Sequence, residues 1–180
     1  MPAENTKKLE VSAIKDGTVI DHIDSKATFK VAAILRAETL EHVILIGSNL
    51  SSQKIGRKGI IKIENKELSE NDVNRIALVA PEATLSIIRN YEVIRKFKIK
   101  LPDVLNGIIK CFNPACVTNH EKISTRFIVV GHKPIRVRCY HCDRYQTGDE
   151  IGLLDPSAIS PAQDSSENSS MSKPERLGYA

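Results

Sequence analysis

Tryptophan is absent from this 180-residue chain, which carries only four phenylalanines and four tyrosines. So sparse a set of rings argues against a surface that stacks successive nucleic-acid bases. No apolar run approaches the roughly 20 residues that a membrane-spanning helix needs. The opening Met1-Pro2-Ala3-Glu4-Asn5 has no apolar signal core, so the expectation is a cytoplasmic protein with no membrane partner. Neither a Walker A loop nor a G-x-G-x-x-G turn is present: Gly56-Arg57-Lys58-Gly59 is too short and lacks the flanking elements. The five histidines, His22, His42, His120, His132 and His141, show no ligand spacing and no nucleophile partner. No catalytic residue is assigned on that basis, and an independent enzyme is not expected. What remains, 41% hydrophobic and 27% charged, is the make-up of a soluble globular protein. The length suits one ordinary domain or two small ones.

Cysteine is scarce too, but tightly placed. Cys111, Cys116, Cys139 and Cys142 form the pattern C-x4-C-x22-C-x2-C, with no cysteine outside it. Each close pair presents two sulfurs from one tight loop, and two such loops facing each other make a tetrahedral four-sulfur site. That geometry suits Zn²⁺, which binds thiolate strongly and has no d-electron preference. Iron–sulfur frameworks usually space their cysteines differently, and two disulfides would need an oxidising compartment. Four protein ligands leave no open position for water or substrate. One structural zinc ion per chain, serving folding and not catalysis, is the expectation.

Charge is unevenly spread. Residues 1–100 hold 17 Lys+Arg against 13 Asp+Glu, a balance of +4. Residues 101–153 hold 7 against 5, or +2, and residues 154–180 hold 2 against 4, or −2. A zinc with four thiolates adds a further −2 to the middle segment and brings it to about neutral. The positive excess therefore belongs to the first hundred residues, where it is modest enough to be an ordinary solvated surface.

The first segment alternates strand and helix patterns. Leu9, Val11 and Ala13 alternate with polar residues as on a half-buried strand, and Thr18-Val19-Ile20 resumes a strand after the turn Lys15-Asp16-Gly17. Asp24 or Ser25 caps a helix with Phe29, Ala32, Ala33 and Leu35 on or near one face. His42–Gly47 reads as a buried strand, and Ile60, Ile61 and Ile63 mark another. Ser69-Glu70-Asn71-Asp72 is a capping-box sequence for a helix with Val73, Ile76 and Ala77 at helical spacing, stopped by Pro81. Thr84–Ile88 and Tyr91–Ile94 are strands around Arg89-Asn90. The rhythm is the βαββαβ of a ferredoxin-like sandwich, an antiparallel sheet with two helices on one face.

Leu101-Pro102 leads into the cysteine module, whose strands Thr125–Val130 and Ile135–Arg138 outline a zinc ribbon. About 50 residues bury too little surface for an independent core, so metal ligation replaces core size. Seven serines, three prolines and Tyr179 as sole aromatic mark residues 155–180 as a disordered tail. The fold class is therefore α+β. Its parts are a flexible N-terminus (1–7), a sandwich domain (8–100), a small zinc-ribbon-like β domain (101–153) and a Ser-rich tail (154–180).

Asp21-His22 follows the second strand, with Lys62 and Lys96 on or after later ones. Lysines on different strands of one sheet can converge on phosphates, with Asp21 on a ribose hydroxyl and His22 donating to a phosphate oxygen. They can equally be strand-edge lysines that keep a sheet soluble. Spacing leaves both readings open.

Longer motifs add to this. Ala13-Ile14-Lys15-Asp16-Gly17-Thr18-Val19-Ile20-Asp21-His22-Ile23 closely resembles the N-terminal signature of the aspartate carbamoyltransferase regulatory chain. Gly56-Arg57-Lys58, Ile61-Lys62-Ile63-Glu64-Asn65, Leu68-Ser69-Glu70, Ala80-Pro81-Glu82-Ala83-Thr84 and Asn90-Tyr91-Glu92-Val93 are similar to further family motifs, in the same order. So is the cysteine module, Cys111-Phe112-Asn113-Pro114-Ala115-Cys116 with Cys139-Tyr140-His141-Cys142. The likeness covers about residues 8–152.

The resemblance implies a noncatalytic subunit of the first committed step of pyrimidine synthesis. Its N-terminal domain would bind CTP, ATP or UTP, and its zinc domain would dock on the catalytic chain. Asp21, His22, Lys62 and Lys96 match residues that hold ribose and phosphates. Val11, Ala13, Ile14, Val19, Ile60, Ile88, Tyr91 and Val93 match the pocket around base and ribose. At Ser86 this chain departs from the Asn that well-studied members carry near the base. Asn113 and Arg144 match positions at the catalytic-chain interface. The family's chains pair as homodimers through the nucleotide domain, and three pairs bridge two catalytic trimers. A competing reading, a zinc-ribbon nucleic-acid binder using Arg126, Lys133, Arg136 and Arg138, needs a concentrated basic stripe and stacking aromatics. Only Phe127, Tyr140 and Tyr145 are at hand, so no nucleic-acid partner is expected.

Overall fold

The computed structural model describes residues 12–155. The expected flexible N-terminus, Leu9 and Val11, and all of the expected tail beyond Asp155 lie outside the described residues. Strand β1 (Gly17–Asp24) runs through a single 3-10 turn into helix α1 (Thr28–Ile34). Then come β2 (Ile44–Ser52), β3 (Gly56–Glu64), helix α2 (Glu70–Val79), β4 (Thr84–Arg89) and β5 (Glu92–Lys98). The sheet order is β2-β3-β1-β4-β5, with every neighbouring pair antiparallel. This is the ferredoxin-like arrangement, with β5 added at the β4 edge.

Local chemistry sets the element ends. Asp24 accepts a hydrogen bond from the Lys26 N–H at 2.9 Å and starts the turn into α1. Ser69 Oγ accepts from the Asp72 N–H while the Asp72 carboxylate accepts from the Ser69 N–H, both at 3.2 Å, so the capping box at α2 is closed in both directions. Such a cap is worth about 0.5–2 kcal/mol. Gly17 opens β1 at φ +136°, where a Cβ would lie 2.1 Å from the Ile63 carbonyl oxygen, so no side chain fits.

The strand pleat separates two faces. Ile61, Ile20 and Leu85 sit opposite one another on β3, β1 and β4 and are buried in one cluster with Val31, Ile76 and Ala77 of the helices. Each fully buried isoleucine contributes about 1.5–3 kcal/mol. The alternate residues of the same strands point to the face without helices, and that face carries the candidate site.

Of the expected first strand only the end is described: residues 12–14 are not in a strand, and the Ser12 carbonyl accepts from the Lys62 ammonium. Two expectations need correction. In α1 the buried set is Thr28, Val31, Ala32 and, just past its end, Leu35, which is the i, i+3, i+4, i+7 stripe. Phe29 and Ala33 lie one residue round from it and face solvent, Phe29 at 68% exposure. The apolar run His42–Gly47 is not a buried strand. Only Ile44 onward is extended, and β2 is a sheet edge on which Ile46 is 41% exposed, just after Val43 at 58%.

The second module contains β6 (Val104–Asn106), β7 (Ile109–Lys110), β8 (Arg126–His132), β9 (Ile135–Cys139), β10 (Tyr145–Thr147) and β11 (Gly152–Leu153). Its main sheet runs β10-β9-β8-β6, with β7 and β11 paired beside it. Among the described residues eight buried ones make its core: Leu105, Ile108, Ile109, Phe127, Val137 and three of the cysteines. That is far less than the sandwich buries. Leu78 of α2 and Leu101 pack against this second core, and Glu82 receives both Lys98 and Lys133, so the modules touch along α2 and the residues that follow it. No helix among the described residues is long and apolar enough to cross a membrane.

Candidate functional site

The four cysteines come together. Cys111 follows β7, Cys116 precedes a 3-10 turn, Cys139 ends β9, and Cys142 lies in the loop to β10. Their sulfurs all lie within 4.8 Å of one another, with Cys111–Cys142 at 3.6 Å and Cys116–Cys139 at 3.9 Å. A tetrahedron with metal–sulfur bonds of about 2.3 Å has edges of about 3.8 Å, so these separations suit a shared ion. They are far too long for disulfides.

The loops are built to hold the sulfurs. Asn119 Nδ2 donates to the carbonyls of Cys111 at 2.9 Å and Asn113 at 2.8 Å, and the Cys116 N–H donates to the Asn113 carbonyl at 3.0 Å. On the other side the Asp143 N–H donates to the Cys139 carbonyl at 3.0 Å, with Asp143 in the left-handed region at φ 57°. Burial pushes the thiols of Cys111 and Cys139 up. Burial acts the same way on Cys142, but hydrogen bonds from the Arg144 backbone and Asn113 outweigh it and bring that thiol to about 7. Four sulfurs gathered where burial disfavours thiolate charge fit a bound cation, which neutralises that charge. The donor set is complete and closed.

Asn113 and Arg144 both belong to these loops. The Asn113 carboxamide accepts from the Ala115 N–H at 3.2 Å, and the Arg144 carbonyl accepts from the Cys139 N–H at 2.9 Å. Their positions therefore depend on the cysteine cluster.

The helix-free face of the sandwich gathers most of the other singled-out residues. Register sets Lys62 (β3), Val19 (β1), Ser86 (β4) and Lys96 (β5) in one line across four strands. Three interstrand steps put the two lysine backbones about 14 Å apart. Asp21, Ile60, Ile88 and Val93 share that face, with Val93 opposite Ile88. Ser86 and Ile88 are buried, whereas Val93 and Lys96 are exposed. Tyr91 stands apart from the row, in the turn before β5, with φ 67° and 66% exposure. Ile14 is buried and Ala13 exposed in the segment that enters β1.

Asp21 is half-buried, and its carboxylate accepts from Lys58 Nζ at 2.8 and 3.0 Å and from the His22 N–H at 2.7 Å. His22 occupies a bulge in β1 at φ 59°, with Nδ1 3.3 Å from the same carboxylate. Burial alone would raise the Asp21 carboxyl, but Lys58 and the His22 N–H together hold it below the usual range. Burial lowers Lys62, with Asp21 opposing that shift in part. Lys58 was missed in the sequence beyond its place in Gly56-Arg57-Lys58. Its partner lies 37 residues away, and only the β1–β3 register brings the two together.

A depressed carboxyl gives stability that is present above its unfolded value near 3.9 and is lost as pH falls through the lower folded value. Asp21→Asn should therefore cost about 1–2 kcal/mol at pH 7, and the two proteins should converge as pH falls through the lowered folded value. Urea midpoints measured from pH 7 down to pH 2.5 check this. Curves that stay parallel would remove the ion pair from the account.

Fold and sites together define a class: a ferredoxin-like sandwich joined to a cysteine-built metal-binding module. Residues 9–100 match the family model for the aspartate carbamoyltransferase regulatory chain, allosteric domain, and residues 103–152 match its metal binding domain. The aspartate carbamoyltransferase regulatory chain of Pyrococcus abyssi is 50% identical over 146 residues, 80% of this chain and 96% of the relative. That of Bacteroides thetaiotaomicron is 46% identical over 152 residues, 84% and 99% of the two chains. The chain belongs to the family of aspartate carbamoyltransferase regulatory chains. It is thus a noncatalytic regulatory subunit with an allosteric and a metal-binding domain, and its partner is the catalytic chain. Residues 153–180 lie outside both matched ranges.

Proposed function

We propose that the helix-free face of the sandwich binds a pyrimidine or purine nucleoside triphosphate (CTP, ATP or UTP), and that this binding controls a catalytic chain in pyrimidine biosynthesis. The observation that carries the reading is the line Lys62–Val19–Ser86–Lys96, with Asp21 and His22 beside it. A lysine at each end and an apolar strip of Val19, Ile60, Ile88 and Val93 between them suit an anionic ligand with a flat base. Lys62 and Lys96 meet phosphates, Asp21 accepts from a ribose hydroxyl, and His22 donates to a phosphate oxygen. Tyr91, Ile14 and Ala13 flank base and ribose. Ser86 has one short hydroxyl on the base, which favours a different selectivity from that of an amide side chain.

The domains run from 8 to 100 and from 101 to 153, and the ion in the second is Zn²⁺, the metal that four thiolates at these separations suit best. The ribbon then docks on the catalytic chain in the cytoplasm. Asn113 and Arg144 lie in the metal loops, and exposed Tyr140 and Tyr145 carry Arg126 and Arg136 at 4.8 and 4.5 Å over their rings. Tyrosine and arginine are the residues that interfaces enrich. A homodimer through the first domain is supported by the open apolar edge of β2, a strand that otherwise invites unspecific pairing. Control requires the nucleotide to bind two states of the assembly differently, on a scale of about 1–3 kcal/mol.

Co-purification with the catalytic chain, followed by activity titrations with ATP, CTP and UTP, tests this reading. At least one nucleotide should shift activity several-fold at fixed aspartate. An assembled complex that is indifferent to all three would defeat it.

A further inference from the structure

Arg75 lies in the middle of α2, beside Ile76 and Ala77, and is 3% exposed. Removing a guanidinium from water costs several kcal/mol, and an apolar side chain of similar volume often packs at least as well. Its Nε donates to Asn71 Oδ1 at 2.9 Å on its own helix, and its Nη1 donates to the carbonyl of Leu154, 79 residues away. Its Nη2 is buried with no hydrogen-bond partner among the described residues. Asp72 and Asn71 answer the charge on the helix itself; beyond them, the guanidinium grips the end of the metal module.

Leu154 is held from both sides. Its N–H donates to the Ile108 carbonyl of the metal module at 2.8 Å, and its carbonyl accepts from Arg75 of the sandwich. One residue on, the Asp155 carboxylate pairs with Arg36, which stands just past α1 at φ 51°. Clefts of about 810 and 590 Å³ flank this stretch, and Leu153 lines both. A shift of α2 reaches the segment through these polar contacts as well as through the second core, on which Leu78 of α2 and Leu153 both pack. α2 in turn shares the first core with Ile61, whose neighbour Lys62 lies on the other face of the sheet.

We infer that Leu153-Leu154-Asp155 is a strap that couples the two modules, with Arg75 as its anchor, so that a change at the sheet is felt by the metal module. This rests on the nucleotide reading for what the strap transmits. Arg75 touches neither nucleotide nor catalytic chain in this scheme; it is a positioning residue.

The test uses the full chain assembled with its catalytic partner, carrying Arg75→Met or Arg36→Met. Arg75→Met should assemble and bind nucleotide with a Kd within about twofold of wild type. Its effector response, the activity ratio with and without saturating nucleotide, should fall about fivefold, the low end of allosteric coupling. Arg36→Met removes an exposed, screened pair and should change the response less than about twofold. A full response in Arg75→Met overturns the strap. Arg75→Gln, held to the same criterion, replaces the Met variant if that one fails to assemble. Amide exchange provides a reading without nucleotide: Leu154 should exchange about tenfold faster in Arg75→Met, with β1 and β3 unchanged. If wild type binds no nucleotide, the nucleotide reading falls, and exchange at Leu154 alone decides the strap. An unchanged rate there overturns it.

Discussion

Stripping the metal is expected to release this chain from its catalytic partner while nucleotide affinity stays within about twofold. The eight-residue core of the second module includes three of the four cysteines, so the cluster is part of the core and not attached to it. Structural zinc supplies about 10–16 kcal/mol to small modules of this kind, as much as the whole stability of a typical domain. Without the ion, burial keeps the thiols of Cys111 and Cys139 protonated, and the loops that place Asn113 and Arg144 lose their anchor. Among the described residues the sandwich has its own core of fourteen, none of them cysteine. An organomercurial titration followed by sedimentation should show the complex falling apart as about one zinc per chain appears in a colorimetric chelator. Cys139→Ser should behave likewise at the outset. A complex that stays whole after the metal has left would show that the ribbon does not carry the docking surface.

Replacing Lys96 or Lys62 with alanine should do the opposite, weakening nucleotide binding about 10–100-fold while assembly is kept. A hydrogen bond to a charged group is worth about 1.5–3 kcal/mol, and the two lysines lie in the same row on either side of Val19 and Ser86. The two variants should differ in pH dependence. Burial lowers Lys62 below the ordinary lysine value, so it loses its proton earlier as pH rises. Wild-type affinity should begin to fall below the usual lysine range. Lys96→Ala should keep that limb, and Lys62→Ala should lose it. Calorimetric titrations between pH 7 and pH 10 check both points. Equal affinity in Lys96→Ala would take that residue out of the site.

Much of this was legible in the linear chain because it depends on neighbours in sequence. Ser69 and Asp72 are three residues apart, so their reciprocal cap can be read directly. The cysteine pairs are likewise local, five and three positions apart, and only their meeting required the fold. Strand β1 and the β4–β5 hairpin follow from β-branched residues around turn residues. The errors arose where local pattern met global position. The apolar run at Ile44 looks the same at a sheet's edge as at its centre. In α1, Phe29 and Ala33 are apolar but one residue out of phase with the buried stripe.

By itself, the sequence determined the order of elements, the metal module and the residue types available for a nucleotide. These follow from spacing, propensity and the softness of four thiolates. Only the tertiary structure decided that Lys58 answers Asp21, that Lys62 and Lys96 share one row, and that Arg75 grips Leu154. Each of these joins strands or modules distant in sequence, and their contact depends on register and on the packing of one core against another. Neither is encoded in any short stretch of chain.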